Sequence, residues 1–85
     1  MKLEDCRKEI DGIDRELVDS FIKRMKVSQK IAEIKKSEGM PIYNGEREKE
    51  ILKNIKETAP DEYEPYVEEL YMKILELSKK IQKEE

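Results

Sequence analysis

Residues 5–36, DCRKEIDGIDRELVDSFIKRMKVSQKIAEIKK, decide the fold. The stretch holds no proline and one glycine, and its apolar residues recur at helical intervals. With Leu3 just ahead of them, Cys6, Ile10, Ile13 and Leu17 alternate steps of three and four, the spacing of a helix packed lengthwise on other helices. Past Leu17 the rhythm continues through Ser20 or Phe21 to Arg24, Ser28, Ile31 and Lys35. Two cations and a hydroxyl thus fall where the rhythm assigns core. A second stripe, Val18, Phe21, Met25 and Ala32, begins at Arg7, which lies within ~20° of Val18, Met25 and Ala32 at ~100° per residue. Along a helix, Arg7 and Lys35 are ~42 Å apart, while Arg24 and Lys35 are ~16 Å apart and within ~20° of one face. Arg24 and Lys35 can lean over one small anion; Arg7 of the same chain cannot reach it.

Such cations have two plain readings. Their stems can pack along the seam with the heads in water, or Arg24 can act as a polar residue that sets helix register. Against both stands the cost of a buried unpaired charge: three cations around Ser28, with the nearby acids on other faces, ask for an anion. The other charges of this helix, such as Lys8, Glu9, Arg15, Glu16, Lys23 and Lys30, read as a solvated surface with some i, i+4 pairing.

Gly39 supplies a C-terminal cap and Pro41 cannot continue the ladder, so the first helix ends near Glu38. Asn44 is a good N-cap for a second helix, and Glu46 and Glu48 in its first turn suit the positive end of the helix dipole. Ile51, Leu52 and Ile55 mark its buried face, and Glu48 lies on that face with Arg47 beside it. Arg47 and Glu48 read either as an internal ion pair or as contacts to a ligand. The second helix stops around Thr58 at Ala59-Pro60-Asp61, and Pro65 is tolerated only in the first turn of a third helix, which begins at about Asp61 or Glu64. Its seam is Val67, Leu70, Tyr71, Ile74, Leu77 and Ile81, with Ser78 and Gln82 at the edge, either as ordinary surface of a charged tail or as part of a site.

The fold class is therefore all-α: one long, one short and one medium helix in a single domain over residues 1–85, arranged up-down-up. A compact chain of this length has a radius of gyration of ~12 Å, yet 32 helical residues span ~48 Å. With 46% charged and 36% hydrophobic residues the core supply is thin, so the long helix implies a partner, most simply a second copy in a homodimeric bundle. In that bundle the end of helix one, the start of helix two and the end of helix three converge. Arg24, Ser28, Lys35, Arg47, Glu48, Ser78 and Gln82 would line one pocket, and an antiparallel second copy would bring in its Arg7.

Composition narrows the function. Twenty-one acids against 18 bases leave a net charge of -3 and no basic field for a nucleic acid backbone. No apolar run of ~18 residues can span a membrane, and the start, MKLEDCRKE, turns acidic before a signal peptide could form, so a cytoplasmic chain is expected. The one cysteine, Cys6, cannot form an internal disulfide, and its seam position favours a buried thiol over a reactive one. Without histidine, neither a usual zinc site nor a His-activated nucleophile can be assembled. The expected pocket suits a dianionic small molecule whose reaction needs orientation and electrostatic stabilisation, with no metal and no cofactor.

The order R-x16-R-x10-K, an Arg-Glu pair opening helix two and S-x3-Q on helix three, resembles the all-helical chorismate mutases, small intertwined dimers of aromatic amino acid biosynthesis. The strings CRKEIDGIDRELVDSFIKRM, IAEIKK and PIYNGERE are each similar to that family's pattern, and the resemblance covers nearly the whole chain. It implies an isomerase that converts chorismate to prephenate, with Arg24, Lys35 and Gln82 as the catalytic set. Arg24 and, from the other subunit, Arg7 would bind the two carboxylates, with Ser78 assisting. Lys35 and Gln82 would flank the ether oxygen, Glu48 would accept from the ring hydroxyl, and Arg47 would support that end. Asn44 stands where family members can carry Asp, so a backbone contact there survives the change and a side-chain contact is in question. Two alternatives stand beside this: an isochorismate pyruvate lyase, which shares fold and cationic pocket, and a non-enzymatic helical dimerisation module.

Overall fold

A computed structural model describes residues 2–84. The chain forms α1 (Leu3–Glu38), α2 (Gly45–Thr58) and α3 (Glu64–Lys83), with no strand among the described residues. The expected succession of one long, one short and one medium helix is what forms. Helix α1 starts two residues ahead of Asp5, whose carboxylate accepts from the Lys2 backbone N–H at 3.3 Å. Its C-terminus closes on Gly39 at φ 67° and ψ 26°, where the Gly39 N–H reaches the Lys36 carbonyl (3.3 Å) and the Met40 N–H the Lys35 carbonyl (2.8 Å). That paired closure needs a left-handed residue, which glycine supplies without a Cβ clash. Asn44 caps α2 as its sequence position predicts, accepting from the Arg47 backbone N–H at 3.1 Å. The Pro60 carbonyl accepts from Tyr63 and Glu64 N–H, and Pro65 sits in the first turn of α3, where a missing N–H costs nothing.

At 1.5 Å per residue, 36 residues make a rod of ~54 Å, and the molecule measures 55 × 26 × 15 Å, so α1 alone sets the long dimension. The radius of gyration, 15.9 Å, exceeds the ~12 Å of a compact chain this long. Helix α3 packs against both α1 and α2. The buried centre lies where α3 meets the C-terminal half of α1, and its only apolar members among the described residues are Ala32 and Leu75.

Two seams behave differently from the sequence reading. Leu3, Ile10, Ile13 and Leu17 remain between 53 and 66% exposed, and of these four only Leu17 reaches the groove that α3 helps to line. Cys6, expected to be buried there, is half-buried. On α3 the buried ridge is Leu75, Ser78 and Gln82, while Leu70 stays exposed. The helix is rotated so that its polar edge faces inward. Its apolar stripe of Leu70, Ile74 and Leu77 instead joins Leu17, Val18 and Phe21 in an open apolar groove.

Candidate active site

A cavity of about 460 Å³, within the ~300–1,000 Å³ usual for small-ligand sites, opens where the three helices converge. Helix α1 contributes Arg24, Ser28 and Lys35; α2 and its cap contribute Asn44, Arg47 and Glu48; α3 contributes Ser78, Lys79 and Gln82. Val27, Ile31, Ile42, Ile51 and Leu75 form the apolar walls. Every candidate position named from the sequence is therefore here except Arg7, which is exposed near the far end of α1.

The floor is polar. The Ser28 and Ser78 hydroxyls meet at 2.7 Å across the α1–α3 contact, both at least nine-tenths buried. Gln82, also buried, donates from Nε2 to Ser78 Oγ at 3.3 Å, and its Oε1 has no partner among the described residues. A buried amide with one unmatched end is costly unless something else completes it. Ser78 and Gln82 are thus not ordinary surface of a charged tail.

The charges divide into engaged and free. Half-buried Lys35 sends its ammonium to the Ile42 carbonyl at 2.7 Å, which ties the end of α1 to the following loop. An ammonium carries three donors, so two remain. Arg24 is half-buried and has no ion-pair partner among the described residues. Arg47 pairs with Glu50 on the exposed side of α2, not with Glu48, so the internal Arg47–Glu48 pair is not formed. Glu48 turns the other way, to Lys79, at 3.0 Å from Oε2 and 3.3 Å from Oε1. Lys79 was not singled out from the sequence: one lysine among several in a charged tail carries no local signal, and only its seat one residue past buried Ser78 marks it.

Four cations and one acid thus border a cavity in a chain whose net charge is -3. Two of the cations, Arg47 and Lys79, are already ion-paired, and the remaining two, Arg24 and Lys35, favour a small anion there. No side chain on the wall is a thiol or imidazole, and no cluster of three His, Cys, Asp or Glu residues is placed to hold a metal ion among the described residues. The arrangement can bind, orient and stabilise developing negative charge.

Comparison with known proteins bears on this cavity. A stretch of the T-protein of Haemophilus influenzae is 46% identical over 46 residues, covering 54% of this chain and 12% of that protein. The bifunctional chorismate mutase/prephenate dehydratase of Aquifex aeolicus is 43% identical over 54 residues, 64% of this chain and 15% of that protein. The chorismate mutase of Methanocaldococcus jannaschii is 37% identical over 60 residues, 71% of this chain and 61% of that protein. The matched stretch spans less than two thirds of the length of each of these relatives. No solved structure matches the chain significantly. The family model for chorismate mutase type II matches residues 6–83, which include Arg7 and every polar residue of the cavity wall. By that match the chain belongs to the chorismate mutase type II family.

Proposed function

We propose that this chain, as a single domain over residues 1–85, is a chorismate mutase that rearranges chorismate to prephenate. The observation that carries the reading is one cavity wall. Arg24 and Lys35, cations with no carboxylate partner among the described residues, border it together with buried Ser78 and Gln82 and the lone acid Glu48, in a chain of this family. The reaction is a [3,3] rearrangement: the ether C–O bond of the enolpyruvyl group breaks while a C–C bond forms between that group and the ring. No proton is transferred and no covalent intermediate forms, so the wall need supply neither nucleophile nor base, and catalysis rests on orientation and on charge stabilisation.

Arg24 holds one substrate carboxylate, with Ser78 beside it. Lys35 and Gln82 flank the ether oxygen, where negative charge grows as the bond breaks. Lys35 can keep its bond to the Ile42 carbonyl and still turn a second N–H to that oxygen. The unmatched end of the Gln82 amide acquires a partner there once the amide is oriented with its NH₂ toward the ether. Glu48 accepts from the ring hydroxyl, a group placed differently in isochorismate, which favours the mutase over the lyase. Arg47 supports that end of the pocket. The Asn44 carbonyl oxygen of the side chain is spent on its cap, so any contact there comes from its remaining amide or its backbone.

The second carboxylate needs another cation, and this is where a second copy of the chain enters. Two α1 helices packed antiparallel would cover Leu3, Ile10, Ile13 and Leu17, fill the groove beside Leu70 and Ile74, and bring Arg7 of the partner subunit to the Arg24 region. The exposure of those apolar residues supports this intertwined homodimer.

The test is turnover. Purified protein should convert chorismate to prephenate and leave isochorismate untouched. Lys35→Ala should lower kcat by ~10²–10³-fold, the usual loss of one preorganised donor at a developing oxyanion, with its helical circular dichroism retained. Consumption of neither substrate, or a Lys35→Ala enzyme within a few-fold of wild type, would remove the reading.

A further inference from the structure

Glu48 poses a problem that its own helix does not solve. It is the one acid on a wall with four cations, and it stands in the first turn of α2 with its side chain 24% exposed. An unrestrained carboxylate in such a field pairs with whichever cation is nearest. Were that Arg24 or Lys35, the pocket would lose a charge it needs for a dianionic ligand.

Lys79 answers the problem. Its ammonium lies 3.0 and 3.3 Å from the two Glu48 oxygens, both side chains are partly buried, and the same ammonium sits 5.2 Å from the centre of the Tyr43 ring. Tyr43 belongs to the loop between α1 and α2, and it lies across Gly45, where a Cβ would come within 2.7 Å of the tyrosine hydroxyl. Three segments therefore meet at one ammonium: the loop through the Tyr43 ring, the first turn of α2 through Glu48, and α3 through Lys79 itself. The aromatic face favours the ammonium at this place and leaves its N–H groups for the carboxylate.

We propose that Lys79 is a positioning residue: held by Tyr43, it clamps Glu48 so that the carboxylate faces the ring end of the cavity and leaves Arg24 free for a ligand carboxylate and Lys35 for the ether oxygen. This rests on the chorismate mutase reading of the site and adds to it a cation that acts through Glu48.

The test compares Lys79→Met, Lys79→Gln, Lys79→Arg, Glu48→Gln and the Lys79→Gln/Glu48→Gln double variant, with chorismate as substrate. Lys79→Met and Lys79→Gln should raise KM by about tenfold while kcat stays within about threefold, since a misdirected Glu48 competes with substrate binding. Lys79→Arg should recover most of the loss. The double variant should be no worse than Glu48→Gln alone, because without the carboxylate there is nothing to clamp. Multiplying losses in the double variant, or Lys79 variants equal to wild type, would overturn the proposal. If wild type leaves chorismate unchanged, the mutase reading falls by itself. The clamp is then decided by thermal unfolding: Tm shifts of the two Gln variants that fail to add retain it, and additive shifts refute it.

Discussion

Mixing two inactive variants, Arg7→Ala and Lys35→Ala, should regenerate about a quarter of the wild-type sites. Seventeen helical steps separate Arg7 from Arg24, ~26 Å, several times the reach of an arginine side chain. If Arg7 serves the cavity at all, it serves the one in the other copy. Each homodimer of either variant then carries two damaged sites. In a heterodimer both substitutions fall in one site and the other site has neither. Random reassortment of equal amounts gives half heterodimers, and one of two sites in each is native, which yields about one quarter of all sites. The parents provide a low background: a lost donor at the ether oxygen leaves ~10²–10³-fold less turnover, so recovery stands at least ~25-fold above the Lys35→Ala baseline. The assay mixes tagged and untagged chains under mildly denaturing conditions, follows exchange by native mass spectrometry, and measures prephenate formation after dilution. Full exchange with activity still at the parental level would refute the shared site and confine each cavity to one chain.

Two further outcomes follow from particular residues. Gln82 is an amide and can donate at any pH, so turnover should stay roughly flat from mildly acidic to mildly alkaline solution. Gln82→Glu should convert this to activity confined to acid, since a buried carboxyl donates only when protonated; a flat profile in that variant would take Gln82 away from the ether oxygen. Gly39→Ala puts a Cβ on a residue at φ 67°, a cost of ~1–2 kcal/mol, and ~1 kcal/mol corresponds to a drop of ~4–8 °C in the melting temperature of a domain this size. An unchanged melting curve would mean that the closure of α1 is not what holds the loop beneath Lys35.

Much of the fold was legible because its determinants are local. The alternation from Leu3 to Leu17, the Gly39 and Asn44 caps and Pro65 in a first turn act within a few residues of themselves, and each appears at its expected place. Arg24, Ser28 and Lys35 were equally legible, since polar groups on core positions of an apolar rhythm stand out without any partner being known. Ser78 and Gln82 were harder: on a helix of 20 residues with charges on most faces, a serine and a glutamine look like surface until another helix covers them.

Sequence alone thus determined three helices, the Gly39 and Asn44 caps and the presence of displaced cations on α1, because hydrophobic period and backbone capping are properties of short windows. Only the tertiary structure decided which groups meet. Ser28 finds Ser78 fifty residues away, and Glu48 finds Lys79 thirty-one away in place of adjacent Arg47. Those pairings depend on how far α3 is rotated between α1 and α2. A helical wheel leaves that angle free, since it ranks the faces of one helix by polarity and says nothing of the surface each will meet. Packing sets the angle by placing Leu75, Ser78 and Gln82 inward, and with it the one cation, Lys79, that reaches Glu48.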